Sequence, residues 1–311
     1  MHVALHEIGH ALGLKHPFSG SPVLLPNLDN ALHTVMSYNG YEPTLGFFDK
    51  QAIAAIYGNA SNDSNYPFIW SWNASTETLF QTGTSAGEYI KGTKANDYII
   101  TGGGADAVVT YDGNDTVVAS GGSLELNAGG GLDKVIENFS RYSIKSIYVD
   151  PGEEHFQVIY IGNDAQFLLG VERVHFTDGI LAFDTEGNAG KVYRLYQAAF
   201  DRVPDTEGLS YWVDHQDRGV STFSAVADSF IHSPEFERTY GTPSTVSNSE
   251  FTELLYLHTL GRLADQEGFD YWVEKLDGAH TNRGDLLAFF TESDENVARV
   301  EPVISDGIWL L

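Results

Sequence analysis

The sequence predicts a multidomain α+β protein with three successive parts: a helical N-terminal part, a coil of short parallel strands with a β extension, and an all-α repeat part. Three observations support this prediction: histidines at helical spacing within residues 6–16, a nine-residue repeat over residues 83–136, and a 60-residue repeat from residue 192 onward. The predicted domains span residues 1–58, 59–190 and 191–311.

The charge balance restricts the partners of the chain. It has 17 Lys and Arg against 43 Asp and Glu, which gives a net charge of −26. This negative field repels nucleic acids and anionic membranes, so we expect neither as a partner. No apolar run approaches the roughly 20 residues that span a bilayer, so we expect no membrane span. Because there is no Cys, core packing or bound metal has to stabilise the fold.

A metal-binding spacing occupies residues 6–16, which read HEIGHALGLKH. On a helix, His6 and His10 share one face and present two imidazoles to one metal. Gly13 permits a sharp turn that brings His16 back as a third nitrogen ligand. Three histidines leave one position open for water, which is typical of a catalytic zinc site. The alternative is three unrelated histidines on an ordinary amphipathic helix, which this fixed spacing disfavours.

These residues resemble the motif of the metzincin clan of zinc peptidases. A second segment agrees, because residues 34–38 (TVMSY) look like the Met-turn of that clan. The resemblance implies that Met36 is a hydrophobic floor beneath the metal, and that Tyr38 approaches the metal or the oxyanion. Taken alone, Met36 could be an ordinary core methionine. Residues 49–58, with Asp49 as the predicted N-cap, look like the helix that closes the serralysin catalytic domain.

The position of the motif departs from the serralysin pattern, because it begins at residue 6. A serralysin-like domain has a large N-terminal subdomain before its zinc helix. That subdomain supplies a twisted sheet, including the edge strand that holds the substrate. We therefore expect only the C-terminal half of such a domain, truncated at the N-terminus, with complete metal chemistry and an incomplete substrate-binding surface.

The nine-residue repeat combines turn glycines, an acidic position and an apolar position. Position eight is apolar in all six units: Ile90, Ile99, Val108, Val117, Leu126 and Val135. Position six is Asp97, Asp106, Asp115 or Asp133 in four units, with Glu88 and Leu124 as the exceptions. The apolar side chain is expected to point inward and build a core, while the carboxylate and the turn carbonyls suit a hard cation.

This pattern resembles the RTX parallel β-roll of secreted bacterial proteins, in which two units make one coil. The resemblance implies that residues 18 apart stack, so that one edge carries three aspartates and the other is poorer in ligands. We expect two calcium ions on the first edge and at most one on the second. The candidate calcium residues are Asp97, Asp106, Asp115, Asp133, Gly102, Gly104, Gly113 and Gly131. The alternative is a flexible linker rich in Gly and Asp.

The C-terminal third repeats at an interval of 60 residues and resembles a helical domain of unknown function that is often appended to secreted RTX proteins. Arg202 matches Arg262, and a Tyr-Trp pair follows each of these two arginines. Asp205 and Glu207 could cap a helix or bind a cation, and capping is the commoner role. The aromatic pairs could be core residues or a ligand platform, and a core role is the commoner one.

The chain ends in DGIWLL. An acidic residue followed by an exposed apolar tail resembles the uncleaved signal of type I secretion, which implies the type I secretion apparatus as a partner and an extracellular location. The first 20 residues lack the basic start and apolar middle of a signal peptide, which agrees with this interpretation. The alternative for the tail is an ordinary terminal strand or a frayed end.

Two functions remain open from the sequence. The first is a secreted zinc endopeptidase that acts on a protein or peptide substrate, binds Zn²⁺ and Ca²⁺, and uses Glu7 as general base and Tyr38 beside the metal. The second is a proteolytically inactive calcium-binding extracellular module, with a role in adhesion or assembly.

Overall fold

The computed structural model describes residues 2–57, 69–150 and 156–311 of the chain. Contacts divide the chain into two compact units, Met1–Tyr66 and Pro67–Leu311. The predicted α+β class is confirmed, because the second unit combines a β-solenoid of about three turns with a helical C-terminal region. The boundary predicted at residue 58 lies outside the described residues, and the three-domain division stays a prediction.

The smaller unit contains two helices, α1 (His2–Ala11) and α2 (Phe47–Tyr57). α2 begins two residues before Asp49, so Asp49 is not its N-cap as predicted from the sequence. The carboxylate of Asp49 instead accepts hydrogen bonds from the backbone N–H groups of Gly46 and Val35, both at 2.8 Å. It therefore connects the start of α2 to the loop that precedes it.

Within the described residues of the larger unit, fourteen short strands form two sheets: β1 (Ile69–Asn73), β2 (Thr78–Thr82), β3 (Tyr89–Lys91), β4 (Asn96–Ile100), β5 (Asp106–Val109), β6 (Thr116–Ala119), β7 (Leu124–Asn127), β8 (Lys134–Glu137), β9 (Ile144–Val149), β10 (Phe156–Ile161), β11 (Asp164–Leu169), β12 (Arg173–Phe176), β13 (Gly179–Ala182) and β14 (Ile308–Leu310). One sheet has the order β1-β2-β4-β6-β8-β12-β13-β14 and the other has the order β3-β5-β7-β11-β10-β9. Successive repeat units alternate between the sheets, so two units make one coil.

The 18-residue register is visible in the strand pairing. Ile99 lies opposite Val117, and Val117 lies opposite Val135, in parallel strands of one sheet. In the other sheet Ile90 lies opposite Val108. All six position-eight side chains are at most 2% exposed. The predicted inward apolar position is therefore confirmed, and these side chains form the core between the sheets.

The solenoid extends beyond the repeat in both directions. Before it, β2 pairs in parallel with β4. After it, β11 and β12 continue the parallel stacks on β7 and β8. β12 and β13 form an antiparallel hairpin, in which Phe176 lies opposite Gly179. These added strands lack the glycine-rich turn that defines each repeat unit.

The C-terminal tail is a strand, which is the alternative that the sequence left open. β14 pairs antiparallel with β13, and Ile308 and Leu310 are each 3% exposed. The prediction of an exposed apolar tail was therefore wrong for these residues, because the neighbouring strand and α4 (Thr206–Asp217) cover them. Leu311 itself is exposed. Whether this segment is an export signal stays a prediction.

Eight helices form the C-terminal region in two copies. The first copy comprises α3 (Asn188–Phe200), α4, α5 (Phe223–Ile231) and α6 (Pro234–Tyr240), and the second comprises α7 (Asn248–Leu260), α8 (Gln266–Asp277), α9 (Arg283–Thr291) and α10 (Asp294–Ile304). Arg202 binds Glu235 just as Arg262 binds Glu295. Asp205 caps α4 by accepting the N–H of Gly208, so the capping interpretation holds for it. Among the described helices, none combines the length and apolarity that a membrane span needs.

We predict that Ile99→Ala lowers the free energy of unfolding by about 2–5 kcal/mol, because it leaves a cavity in the solenoid core. Its neighbour Ile100 is half-buried on the opposite face of β4, so Ile100→Ala is a matched control with a smaller loss. Guanidinium denaturation of the full chain, followed by circular dichroism at fixed calcium concentration, measures both. Equal losses would contradict the inward placement of position eight.

Candidate metal centre

Three histidines of the smaller unit converge on one point. Nε2 of His16 lies 3.2 Å from Nε2 of His6 and 3.1 Å from Nε2 of His10. His6 and His10 share a face of α1, and the chain then turns at Gly13, whose φ of +85° lies in the left-handed region. A Cβ added at Gly13 would meet nothing within 4 Å. Glycine is therefore favoured there by its backbone angle and not by lack of space.

Backbone carbonyls orient two of the imidazoles. Nδ1 of His6 lies 2.8 Å from the carbonyl oxygen of Val35, and Nδ1 of His10 lies 3.1 Å from that of Leu14. A carbonyl only accepts hydrogen bonds, so each Nδ1 must carry the proton. Each Nε2 is then an unprotonated lone pair aimed at the convergence point, which is how protein histidines are held for metal binding.

The donor set fits a zinc ion. Two nitrogens at about 2.0–2.1 Å from zinc in a tetrahedron are roughly 3.3 Å apart, close to the separations seen here. A positive charge on one imidazole raises the free-energy cost of protonating its neighbour, because like charges repel. Burial, followed by the neighbouring His10 and His6, indeed lowers the pKa of His16. Among the described residues, this triad is the one group of at least three His, Cys, Asp or Glu whose ligand atoms lie within 4.8 Å of one another.

Two aromatic rings surround His16. The hydroxyl of Tyr38 lies 2.7 Å from Nε2 of His16, so it reaches the convergence point. The ring of Phe18 stacks on His16 at 5.1 Å with an angle of 5° between the planes. Glu7 is exposed on α1, and its carboxylate raises the pKa of His16, opposing the other effects. Sequence reasoning placed Tyr38 and Glu7 here but missed Phe18, which no spacing rule singles out.

Met36 lies buried beneath the triad at 2% exposure. A Cβ added at Gly9, between the two helical histidines, would collide with the Met36 sulfur, so the thioether packs directly against α1. The adjoining turn is fixed by Asp49, which accepts the Thr34 hydroxyl at 2.5 Å and the Val35 N–H at 2.8 Å. The carbonyl of Val35 then orients His6. Asp49 therefore positions His6, a candidate metal ligand, by holding Val35 in place.

A cavity of about 360 Å³ lies beside the triad in the same unit. His16 and Met36 form part of its wall, and the rest of the lining combines apolar side chains such as Val23 and Ile56 with the polar Lys15, Thr34 and Asp49. Its position next to the metal ligands makes it the candidate substrate pocket. A larger cavity of about 750 Å³ lies in the helical region, far in sequence from the histidines.

The larger unit holds the acidic residues of the repeat in two stacks. On the first edge, Asp115 accepts the N–H of Asp97 and Asp133 accepts the N–H of Asp115, both at 2.7 Å. Glu172 accepts the N–H of Asp133 at 2.7 Å and so adds a fourth carboxylate. The sequence analysis missed Glu172 because it lies outside the nine-residue repeat. We call these four residues the first-edge ladder.

The first-edge ladder retains acceptor oxygens that suit calcium. Oδ2 of Asp115 and Oδ2 of Asp133 are buried and have no hydrogen-bond partner among the described residues. Burial raises the pKa of Asp115 to about 6 and the pKa of Asp133 to about 8. Buried carboxylates without partners are costly unless a proton or cation neutralises them. The turn glycines of the two stacks all have positive φ: Gly102, Gly104, Gly113 and Gly131.

The second edge is poorer in such oxygens. Asp106 accepts the N–H of Glu88 at 2.9 Å, and Glu88 accepts the N–H and hydroxyl of Thr84. Leu124 occupies the next position of this stack and is apolar. Burial also raises the pKa of Asp106. The second edge therefore carries fewer aspartates than the first, as the repeat predicts.

Comparison with known proteins gives partial similarities. A family model described as a domain of unknown function, DUF4214, matches residues 227–300, within the helical region. A matrix metalloproteinase-21 of Cynops pyrrhogaster is 34% identical over 70 residues, which is 22% of this chain and 10% of that relative. The chain thus spans about a tenth of the relative's length. No solved structure matches. These findings agree with a metzincin-like interpretation of the chain.

We predict that, in a calcium chelator, the free energy of unfolding falls as pH rises from about 4 to about 8. Asp115 and Asp133 have raised folded pKa values, whereas unfolded aspartates titrate near pH ~3.9. In that window the folded chain holds protons that the unfolded chain has released, so raising pH favours unfolding. Urea denaturation in chelator at several pH values measures this slope.

Two variants control this pH experiment. Asp133→Asn removes the most strongly shifted of these groups and should flatten the slope, whereas Asp112→Asn, at an exposed position, should leave it unchanged. Saturating calcium should replace the protons and abolish the fall in stability. A chain that becomes more stable toward pH 8 in chelator would contradict the account of the first-edge ladder.

Proposed function

We propose that this chain carries the catalytic metal site of a secreted zinc endopeptidase of the serralysin type. The observation that carries the proposal is the convergence of three imidazoles, with Nε2 of His16 lying 3.2 Å from that of His6 and 3.1 Å from that of His10. A backbone carbonyl orients each of the two helical imidazoles. The partial similarity to a matrix metalloproteinase supports a peptidase. In this proposal the smaller unit is the C-terminal part of a metzincin catalytic domain.

Each residue of the site has a role that its position supports. A bound zinc ion would supply an activated water and would polarise the substrate carbonyl. The exposed carboxylate of Glu7 takes a proton from the attacking water and delivers it to the leaving amine nitrogen. The hydroxyl of Tyr38, at the convergence point, donates a hydrogen bond to the carbonyl oxygen as negative charge develops there.

Substrate binding would use the cavity beside His16. Its apolar lining favours an aliphatic or aromatic substrate side chain next to the cleaved bond. Phe18, which is 48% exposed and stacked on His16, adds an apolar wall at the entrance of the site. The predicted substrate is therefore a protein or peptide with an apolar residue at that position.

The solenoid would hold calcium and restrict folding to calcium-rich surroundings. We place two ions along the first-edge ladder, where Asp115 and Asp133 have unpartnered oxygens, and at most one on the second edge. Extracellular calcium modules bind at ~0.1–1 mM, which suits a protein folded outside the cell. Secretion through a type I apparatus belongs to the same proposal, as do the domain divisions at residues 58 and 190.

The alternative is a calcium-binding extracellular module that lacks proteolytic activity. The observation that favours it is the extent of the larger unit, which has its own candidate ion sites and two helical copies unrelated to the histidine triad. In that case the triad would bind zinc without supporting hydrolysis.

We predict that the zinc-loaded chain hydrolyses casein, and that Glu7→Gln lowers the rate about 10²–10⁴-fold because the general base is lost. Zinc content, measured by atomic emission, should stay at one ion per chain in this variant. Glu77→Gln, an exposed control in the other unit, should keep both zinc and activity. Zinc binding without any hydrolysis by the unmodified chain would support the module and sink the peptidase proposal.

A further inference from the structure

One buried carboxylate in the solenoid belongs to none of the sites above. Glu137 ends β8, where the alternation that places Val135 in the core also places Glu137 inside. Its partner in the neighbouring coil is Ala119, which is apolar and itself buried. Glu137 is 3% exposed, and neither of its carboxylate oxygens has a hydrogen-bond partner among the described residues.

A second unpartnered oxygen faces the same interior. Gln166 lies on β11 opposite Leu124, which belongs to the repeat unit that Ala119 begins. Its Nε2 donates to the carbonyl of Gly122 at 3.2 Å, which fixes the orientation of the amide. Its Oε1 is buried without a partner among the described residues, and the whole side chain is 1% exposed.

A third oxygen ligand lies two residues earlier on the same strand. Asp164 is half-buried and, because residues i and i+2 of a strand share a face, it lies on the same side of β11 as Gln166. Burial and then the charge of Asp164 raise the pKa of Glu137 to about 7. No Lys, Arg or His is among the charges that act on Glu137 within the described part of the chain. Apart from the Gln166 amide nitrogen, which donates to Gly122, the group offers oxygen acceptors.

We propose that Glu137, Gln166 and Asp164 bind a calcium ion at the closing end of the solenoid, separate from the aspartates of the repeat. Two carboxylates and an amide carbonyl are oxygen ligands of the kind that calcium takes, with water completing its coordination. The half-buried Asp164 gives the ion an approach from solvent. The ion joins β8 of one sheet to β11 of the other, at the point where the glycine-rich repeat has ended and no repeat turn connects them.

Calcium stoichiometry tests this site apart from zinc and apart from hydrolysis. Equilibrium dialysis of the full chain with calcium alone should give one ion fewer in Glu137→Gln than in the unmodified chain. Asp164→Asn, at a half-buried position that tolerates the change, should lose the same ion. Glu301→Gln, at an exposed position of α10 in the helical region, is the matched control and should keep the full number.

Thermal unfolding in saturating calcium gives a second readout. If the ion is bound, Glu137→Gln should lower the unfolding midpoint, although it removes a buried charge. An unchanged ion count in both variants, together with a higher midpoint in Glu137→Gln, would overturn the site and show a buried acid that is simply protonated. That result would leave the first-edge ions and the zinc site untouched, because Asp115, Asp133 and the histidines are unaltered.

Discussion

The stacking of residues 18 apart is the constraint on which the larger unit depends. It aligns the apolar position eight of each unit into a continuous core, as the pairing of Ile99, Val117 and Val135 shows. The same register necessarily stacks position six, so Asp97, Asp115 and Asp133 form a column of buried carboxylates. A chain with net charge −26 therefore places several carboxylates next to its buried core. Because these carboxylates repel one another, the stability of the larger unit depends on protons or cations that neutralise them.

The candidate metal centre of the smaller unit depends on hydrogen bonds to backbone groups as well as on side-chain packing. Two imidazoles are oriented by the carbonyls of Val35 and Leu14, and Val35 is in turn held by Asp49. Among the described residues, the apolar cluster of this unit comprises Leu14, Val35 and Met36, with Leu5, Leu45, Ala52 and Ile53 packed against it. The hydrogen bonds through Val35 and Leu14 add a fixed orientation of two imidazoles to this packing.

The sequence predicts periodic features well and isolated contacts poorly. The inward position eight and the helical copies at 60-residue spacing both follow from repetition, and the structure confirms them. Spacing also brings the three histidines together. By contrast, the roles of Asp49 and Glu172 depend on contacts between distant segments, which no local pattern records. The prediction of an exposed C-terminal tail failed for the same reason. The strand that pairs with the tail, β13, lies more than 100 residues earlier in the sequence.

The coordination of zinc by the unmodified chain tests the central claim most directly. X-ray absorption spectroscopy of the zinc-loaded protein should show three imidazole nitrogens and one water oxygen at about 2.0–2.1 Å. Substitution of His16, which meets both other imidazoles, should remove one of the three nitrogens. A shell made mainly of carboxylate oxygens, or one with fewer than three imidazoles, would contradict the assignment of His6, His10 and His16 as the catalytic metal site.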